Sequence, residues 1–309
     1  MLTASDGPRG LAVLGSPIAH SQSPALHAAA YRELGLPWSY DRAEVTPATL
    51  GDYVQSRPDD WRGLSLTMPL KQSVLPLVSS MDEIARLTGA ANTILFDTDA
   101  SGRRELRGFN TDVIGIVRAL TAAGTSNARS VLVWGGGATA ASAVVAAAEL
   151  GADVVTVQVR EPARAEQLIG LGHAVGLRVE IRSFQDEVSE RPDLVISTLP
   201  GSAGADGGAN RIVRGKGTAR AAADGILLLD VAYDPWPTEV VKVWDARGGA
   251  MGRTASHNVL SGLAMLVHQA LLQVRIFVTG DPERELPDEP AVLGAMLAAV
   301  GLDASGRPV

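Results

Sequence analysis

The 309-residue chain contains no cysteine. Disulfides, thiolate zinc sites and cysteine nucleophiles are therefore excluded, and a reducing compartment, the cytoplasm, is the expected location. Lysine is almost as scarce, since only Lys71, Lys216 and Lys242 among 27 Lys and Arg residues are lysine. There is no basic run in a chain of formal charge −7 and isoelectric point near 5.3. A nucleic-acid partner, which needs a basic face or stripe, is not expected. The opening MLTASDGPRG lacks a cationic start followed by an apolar core, so no secretory leader is expected there. One uncharged stretch, Val131 to Ala148, has the length of a membrane span. Its Gly135-Gly136-Gly137 interruption instead suits a strand and helix buried in a doubly wound sheet, and no membrane partner is expected. His20, His27, His173, His257 and His268 show no ligand spacing, so structural or surface roles are expected and no metal. The tryptophans, Trp134, Trp236 and Trp244 among them, are expected in core or domain packing.

What is present points to two domains. A length of 309 residues with 46% hydrophobic side chains is ample for two packed cores. Apolar runs alternate with helical stretches: Leu11 to Gly15 then Ala25 to Leu34, Trp38 to Val45 then Ala48 to Ser56, Leu64 to Met68 then Lys71 to Ser79. That alternation predicts β/α units, a largely parallel sheet and an α/β fold class. Ala91 to Phe96 and a turn at Asp99 to Gly102 predict a hairpin, and Val113 to Ala123 a helix containing a domain boundary. Further strands are predicted at Ser130 to Trp134, Asp153 to Val159, Arg178 to Ile181, Asp193 to Thr198 and Ile226 to Val231. A long apolar helix from Asn258 to about Val278 is expected to return to the first domain. The expected division is residues 1–115 with 258–309 around a second domain of residues 116–257. Gly201 to Gly217 is expected to be a mobile loop and Ala304 to Val309 a frayed tail.

Lys71 closes LSLTMPLK, which places an amine at the carboxyl edge of a strand, where α/β proteins have their clefts. Arginine cannot do an amine's proton chemistry, although a surface lysine opening a helix would look the same in isolation. In VLVWGGGATAASAVVAAAELGA, Gly135, Gly137 and Ala140 occupy the small positions of a GxGxxG/A turn between strand and helix. Such a turn admits a pyrophosphate to backbone amides and a helix N-terminus, and a tight helix–strand crossing asks for the same residues. Arg160 and Arg164 follow the next strand, four residues apart, so both can face one side of the following helix. Arginines there suit the 2′-phosphate of NADP, whereas an acid would hold the ribose hydroxyls of NAD, and Glu161 sets a carboxylate beside them. Ser21 and Ser23 precede Pro24, so Ser23 is read as an N-cap with Pro24 first in the helix. Two hydroxyls at a helix start also fit a substrate carboxylate. Asp112 starts a helix, where an acid is ordinarily only a favourable first-turn charge.

The segments GSPIAHSQSP, LSLTMPLK, GAANT, GFNTD, VLVWGGGATA and SGLAMLVHQA occur in this order between about residues 11 and 280. Together they resemble shikimate dehydrogenase, including the branch that also oxidises quinate. The resemblance implies an N-terminal α/β substrate domain and a Rossmann-like NADP-binding domain, with the active site in the cleft between them. It implies reversible NADPH-dependent reduction of 3-dehydroshikimate to shikimate in aromatic amino acid biosynthesis, with Lys71 and Asp112 as an acid/base dyad. Ser21 and Ser23 would bind the carboxylate, Thr67, Asn92, Asp112 and Gln269 the ring hydroxyls, and Tyr233 would lie near the carboxylate. Gly135, Gly136, Gly137, Ala138, Thr139, Ala140, Arg160, Arg164, Thr198, Gly262 and Met265 would hold NADP. Ser65 and Val159 stand where the family often has asparagine, and SGLAM replaces the commoner DGLGM. Quinate or aminoshikimate dehydrogenase is the rival among enzymes, because one ring substituent is poorly specified by sequence. A non-catalytic dinucleotide-sensing regulator is the rival from another class, and the Lys71 and Asp112 pair argues against it. Oligomeric state is left open, a homodimer included.

Overall fold

The computed structural model describes residues 7–99, 101–205, 208–213, 215–249 and 258–309, so His257 lies outside the described residues. The chain divides into two compact units, Met1–Gly115 with Leu266–Ala304 and Pro308–Val309, and Ile116–Met265 with Ser305–Arg307.

The first unit holds β1 (Gly10–Gly15), α1 (Ser23–Glu33), β2 (Ser39–Glu44), α2 (Leu50–Gln55), β3 (Trp61–Leu66) and α3 (Leu70–Ser73). After them come β4 (Ser80–Met81), α4 (Glu83–Thr88), β5 (Thr93–Thr98) and β6 (Arg104–Phe109). Helix α5 (Asp112–Ala122) then crosses the boundary after Gly115. Its sheet runs β2-β1-β3-β5-β6-β4. β1 pairs in parallel with β2 and β3, but β5 runs antiparallel to both β3 and β6. The sheet is thus mixed: β1, β2 and β3 of the alternating units pair in parallel, as expected, and the antiparallel pairs arise where the β5–β6 hairpin docks its first strand directly on β3. Leu14, Leu64, Leu66, Leu70 and Ile94 are fully or nearly buried in one cluster beneath it. Each such side chain contributes about 1.5–3 kcal/mol relative to exposure. β3 ends at Leu66, two residues before the expected Met68, whose side chain is exposed.

The second unit holds β7 (Ser130–Trp134), α6 (Ala138–Glu149), β8 (Val154–Val159), α7 (Gln167–Ala174), β9 (Arg178–Ser183) and β10 (Leu194–Ser197). It continues with α8 (Ala209–Ile212), α9 (Lys216–Asp224), β11 (Leu228–Asp230), α10 (Glu239–Gly249) and β12 (Val259–Ser261). All neighbours pair in parallel in the order β12-β11-β10-β7-β8-β9. This is the doubly wound dinucleotide order, with the switch point between β7 and β10.

Four expectations are corrected. The helix expected from Asn258 begins with a strand, β12, which pairs with β11, and α11 starts only at Gly262 and runs to Thr279. The first unit therefore resumes at Leu266 rather than at residue 258. An apolar triplet running directly into an apolar helix carries no change of period to mark it. Gly201 to Gly217, expected as a loop, contains α8 and the start of α9. The tail also folds back, as Leu302 bridges to Pro308 and α12 (Glu289–Ala299) precedes it. Trp134 and Trp244 pack edge-on in the second core at 6.1 Å, whereas Trp236 is 39% exposed and outside that core. Among the described residues α11 alone is long and apolar enough to cross a membrane, and 78% of it is buried in the protein.

Asp230 ends β11, buried, with Oδ2 accepting from the Thr238 hydroxyl at 2.7 Å and Oδ1 from the Ala232 N–H at 3.3 Å. Burial pushes its carboxyl from 3.8 up to about 6. An acid raised in the native state stabilises folding while protonated, so this contribution is present below about pH 4 and lost as pH rises to about 6. Asp230→Asn should remove that slope. The melting-temperature difference between variant and wild type is expected to move in the variant's favour from pH 4 to pH 7, by the equivalent of about 3 kcal/mol at most. A difference that does not change with pH would show that Asp230 is not the titrating group.

Candidate active site

Two parallel strands of the first unit deliver their following loops to one edge. Leu14 pairs with Leu66, Thr67 N–H donates to Leu14 O at 2.9 Å, and Ser16 N–H to Met68 O at 3.1 Å. The loop that leads to Ser21 and Ser23 therefore starts beside Thr67 and Met68. Arg42, on β2, ties this loop down by donating to the carbonyls of Ala19 and Ser21.

The capping arrangement differs from expectation. Ser23 is the first residue of α1, Gln22 precedes it without a side-chain cap, and the Ser21 hydroxyl accepts from Ser23 N–H at 3.3 Å. Ser21 thus does the local work assigned to Ser23. The Ser23 hydroxyl makes no hydrogen bond among the described residues. A long neutral hydrogen bond is worth about 0.5–1 kcal/mol. Ser21→Ala should therefore lower the melting temperature, while Ser23→Ala leaves it unchanged or raises it slightly; urea unfolding of both variants checks the order.

Lys71, on α3, extends Nζ to Asp112 Oδ2 at 2.5 Å, with 14% and 4% of the two side chains exposed. Asp112 is placed by GFNTD. Asn110 Oδ1 accepts the Asp112 N–H at 3.0 Å, and Asn110 Nδ2 donates to Thr88 Oγ1 at 2.8 Å, so the helix start is fixed from the loop side. Asp112 Oδ1 accepts from Asn92 Nδ2 at 2.8 Å. Asn92 is fixed by its backbone: its N–H donates to Phe109 O at 3.0 Å, and its carbonyl accepts from Leu66 N–H at 2.7 Å. Its neighbour Ala91 donates to Lys71 O at 2.8 Å. Gln269 Oε1 receives Asn92 Nδ2 and Thr111 Oγ1, each at 3.2 Å. A buried carboxylate with an amine on one oxygen and an amide N–H on the other is satisfied and cannot rotate away.

The structure thus joins Lys71, Asp112, Asn92 and Gln269 in one hydrogen-bonded cluster, with Thr67, Ser21 and Ser23 at the same strand edge. Thr111 and Gln273 belong to the cluster and escaped sequence reasoning. Thr111 lies inside GFNTD, and Gln273 is a glutamine within a largely apolar helix four residues beyond Gln269. Tyr233 lies in the second unit, half-buried after β11.

In the second unit the glycine turn sits between β7 and α6. Gly135 has φ +108°, and a Cβ there would strike the Thr198 side chain. A Cβ at Gly136 would come within 2.9 Å of Val159 and 3.1 Å of Ala165. Those two glycines therefore have internal packing reasons. Gly137 has none, because a Cβ there meets nothing within 4 Å, and it is exposed directly before the first turn of α6. Ala138 and Thr139 are half-buried beside it and Ala140 is buried. Thr198 follows β10, next to the switch point, and donates to Trp134 O at 2.9 Å. Arg160 and Arg164 are exposed, but not on one helix face as expected: a 3-10 turn at Pro162–Ala165 intervenes and α7 begins at Gln167. Arg164 instead meets Glu161 at 2.9 Å. Gly262 leaves room for the Val231 carbonyl, and Met265 is buried.

These features define a two-unit α/β protein with a dinucleotide-type sheet in one unit and a buried lysine–aspartate dyad in the other. A family model described as the shikimate dehydrogenase substrate binding domain matches residues 13–94. The crystal structure of Mycobacterium tuberculosis shikimate dehydrogenase is 37% identical with a TM-score of 0.73, covering 94% of this chain and 100% of that one. The shikimate dehydrogenase (NADP(+)) of Methanothermobacter thermautotrophicus is 28% identical over 281 residues, 90% of this chain and 93% of the relative. The pentafunctional AROM polypeptide of Schizosaccharomyces japonicus is 30% identical over 285 residues, and the chain spans 17% of that polypeptide's length. The chain belongs to the shikimate dehydrogenase family.

Proposed function

We propose that this protein catalyses the reversible, NADPH-dependent reduction of 3-dehydroshikimate to shikimate, a step of aromatic amino acid biosynthesis. The observation that carries this reading is the 2.5 Å contact between Lys71 and Asp112 beside Asn92 and Gln269. NADPH supplies the hydride when bound. Hydride addition to a ketone leaves an alkoxide, and the Lys71 ammonium donates the proton that converts it to the alcohol. In the oxidative direction Lys71 takes that proton back. General acid/base catalysis of this kind is worth roughly a hundred to ten thousand fold. Asp112 orients the amine and, with Thr67, Asn92 and Gln269, accepts or donates hydrogen bonds to ring hydroxyls. Ser21 and Ser23 receive the substrate carboxylate at the head of α1, where helix amides favour an anion, and Tyr233 is read as a further contact near that group.

The second unit's residues fit NADP. The open Gly137 and the α6 N-terminus, with Gly135, Gly136, Ala138, Thr139 and Ala140, supply amides to a pyrophosphate, and Thr198 flanks them across the switch point. Arg160 and Arg164 supply guanidiniums for the 2′-phosphate, and Gly262 and Met265 are read as nicotinamide neighbours. A chain without cysteine suits the reducing cytoplasm.

Purified protein should turn over shikimate with NADP faster than quinate, and faster than shikimate with NAD. No turnover with either acid and either cofactor refutes the reading. Lys71→Ala should lower kcat by at least about a hundredfold with KM for shikimate changing much less. A loss under tenfold, with the far-ultraviolet spectrum intact, removes Lys71 from the chemistry.

Arg164 is held by Glu161, so the carboxylate competes with the phosphate for that guanidinium. Arg160→Ala should weaken NADP while sparing NAD. Glu161→Gln should tighten NADP severalfold and leave NAD unchanged, the scale of an exposed ion pair. Steady-state constants for both cofactors check the pair, and equal changes for NADP and NAD argue against a phosphate site at these residues.

A further inference from the structure

Gln273, on α11, is 1% exposed and makes four hydrogen bonds. Its Nε2 lies 3.3 Å from the Asn92 backbone carbonyl and 3.0 Å from Thr93 Oγ1. Its Oε1 lies 3.0 Å from Ser65 Oγ and 3.3 Å from His27 Nε2. Both N–H groups and both lone pairs are used, which is the full capacity of a carboxamide.

The direction of every bond follows from one fixed partner. A backbone carbonyl only accepts, so the Gln273 atom facing Asn92 O must be the NH2 group, and Oε1 must face Ser65 and His27. The buried His27 ring is held neutral, its burial lowering it to about 3, and it stacks on Tyr40 at 3.8 Å. A neutral ring has one N–H, which must lie on Nε2 to meet Gln273 Oε1, leaving Nδ1 to accept from the Tyr31 hydroxyl at 3.1 Å. On the other side, Thr93 Oγ1 accepts from Gln273, so its own hydrogen is directed to Asn92 Oδ1 at 2.8 Å. With Oδ1 so engaged, the Asn92 NH2 group turns to Asp112 Oδ1. A single polarity therefore runs from Tyr31 through His27, Gln273, Thr93 and Asn92 to the carboxylate that Lys71 meets.

We propose that Gln273 is a positioning residue for the reaction, clamping Asn92 at its backbone carbonyl and, through Thr93, at its side-chain oxygen, and so holding the Asp112 carboxylate in register with Lys71. The inference rests on the proposed reaction. It also accounts for Ser65: the short hydroxyl at this strand position reaches Gln273 rather than pointing a longer amide elsewhere. Thr111 N–H holds the same Asn92 oxygen at 3.0 Å, so losing Gln273 loosens Asn92 without releasing it. The expected loss is accordingly about tenfold in kcat, that of one neutral hydrogen bond, rather than the hundredfold expected for Lys71.

The test is a double-mutant cycle on kcat with Gln273→Met and Thr93→Val, together with Thr93→Ser, which keeps the hydroxyl. Gln273→Met and Thr93→Val should each lower kcat about tenfold while leaving KM for NADP unchanged, Thr93→Ser should stay within about threefold of wild type, and the double variant should lose little more than either single one. Losses that multiply in the double variant, or a Thr93→Ser loss as large as that of Thr93→Val, overturn the proposal. If Gln273→Met does not fold, the Thr93→Val and Thr93→Ser comparison decides alone. A wild type that turns over shikimate while these predictions fail overturns only the role of Gln273. A wild type without turnover overturns the functional reading and this inference with it.

Discussion

The constraint on which the first unit depends is the burial of Asp112. A carboxylate 4% exposed is tolerable only if both oxygens are occupied by donors, because an isolated buried charge costs several kcal/mol. Lys71 occupies one and Asn92 the other. Supplying those donors explains why the β5–β6 hairpin must dock on β3 in this register: Asn92 directly precedes β5, and Leu66 at the end of β3 anchors its carbonyl. The same docking turns a sheet that begins as parallel β/α units into a mixed one. Stability and chemistry thus ask for the same geometry here, since the partners that make the buried charge affordable are the ones proposed to meet substrate.

The second unit obeys a different constraint, the steric closeness of strand, turn and helix. Gly135 and Gly136 are required by the chain's own atoms, Thr198, Val159 and Ala165. Gly137 is not. A position that stays small with open space above it, at the head of a helix, is where a ligand's phosphate can approach backbone amides. Two of the three glycines are thus needed for packing and the third is not, which is consistent with the cofactor role proposed for this turn. Arg160 then follows directly after β8 and Arg164 lies in a 3-10 turn rather than both on one α-helix face, and Glu161 already engages Arg164.

The sequence carried the alternation of strands and helices, the glycine turn and the rarity of lysine, and these set Lys71 just beyond β3 and Gly135 to Gly137 between β7 and α6. Its errors cluster where local pattern is silent. β12 hides in an apolar run continuous with α11, so no change of period marks it. Serine before proline suits an N-cap at Ser23, but the helix starts one residue earlier and the hydrogen bond falls to Ser21. The helix spacing of Arg160 and Arg164 assumed a helix that starts only at Gln167.

By itself the sequence determined which chemistries are available: an amine at a strand edge, an acid at a helix start, small residues at a strand-to-helix turn, and no thiol anywhere. These are local properties, fixed by residue type and by spacing along a strand or helix. Only the tertiary structure decided who partners whom. That Asn92 meets Asp112, that Gln273 donates to Thr93 and a backbone carbonyl and accepts from His27 and Ser65, and that Ser21 rather than Ser23 ties the loop are contacts between residues up to 246 positions apart. No periodicity encodes them. They arise because buried polar groups must be satisfied by whatever donors and acceptors the packed elements bring within about 3 Å.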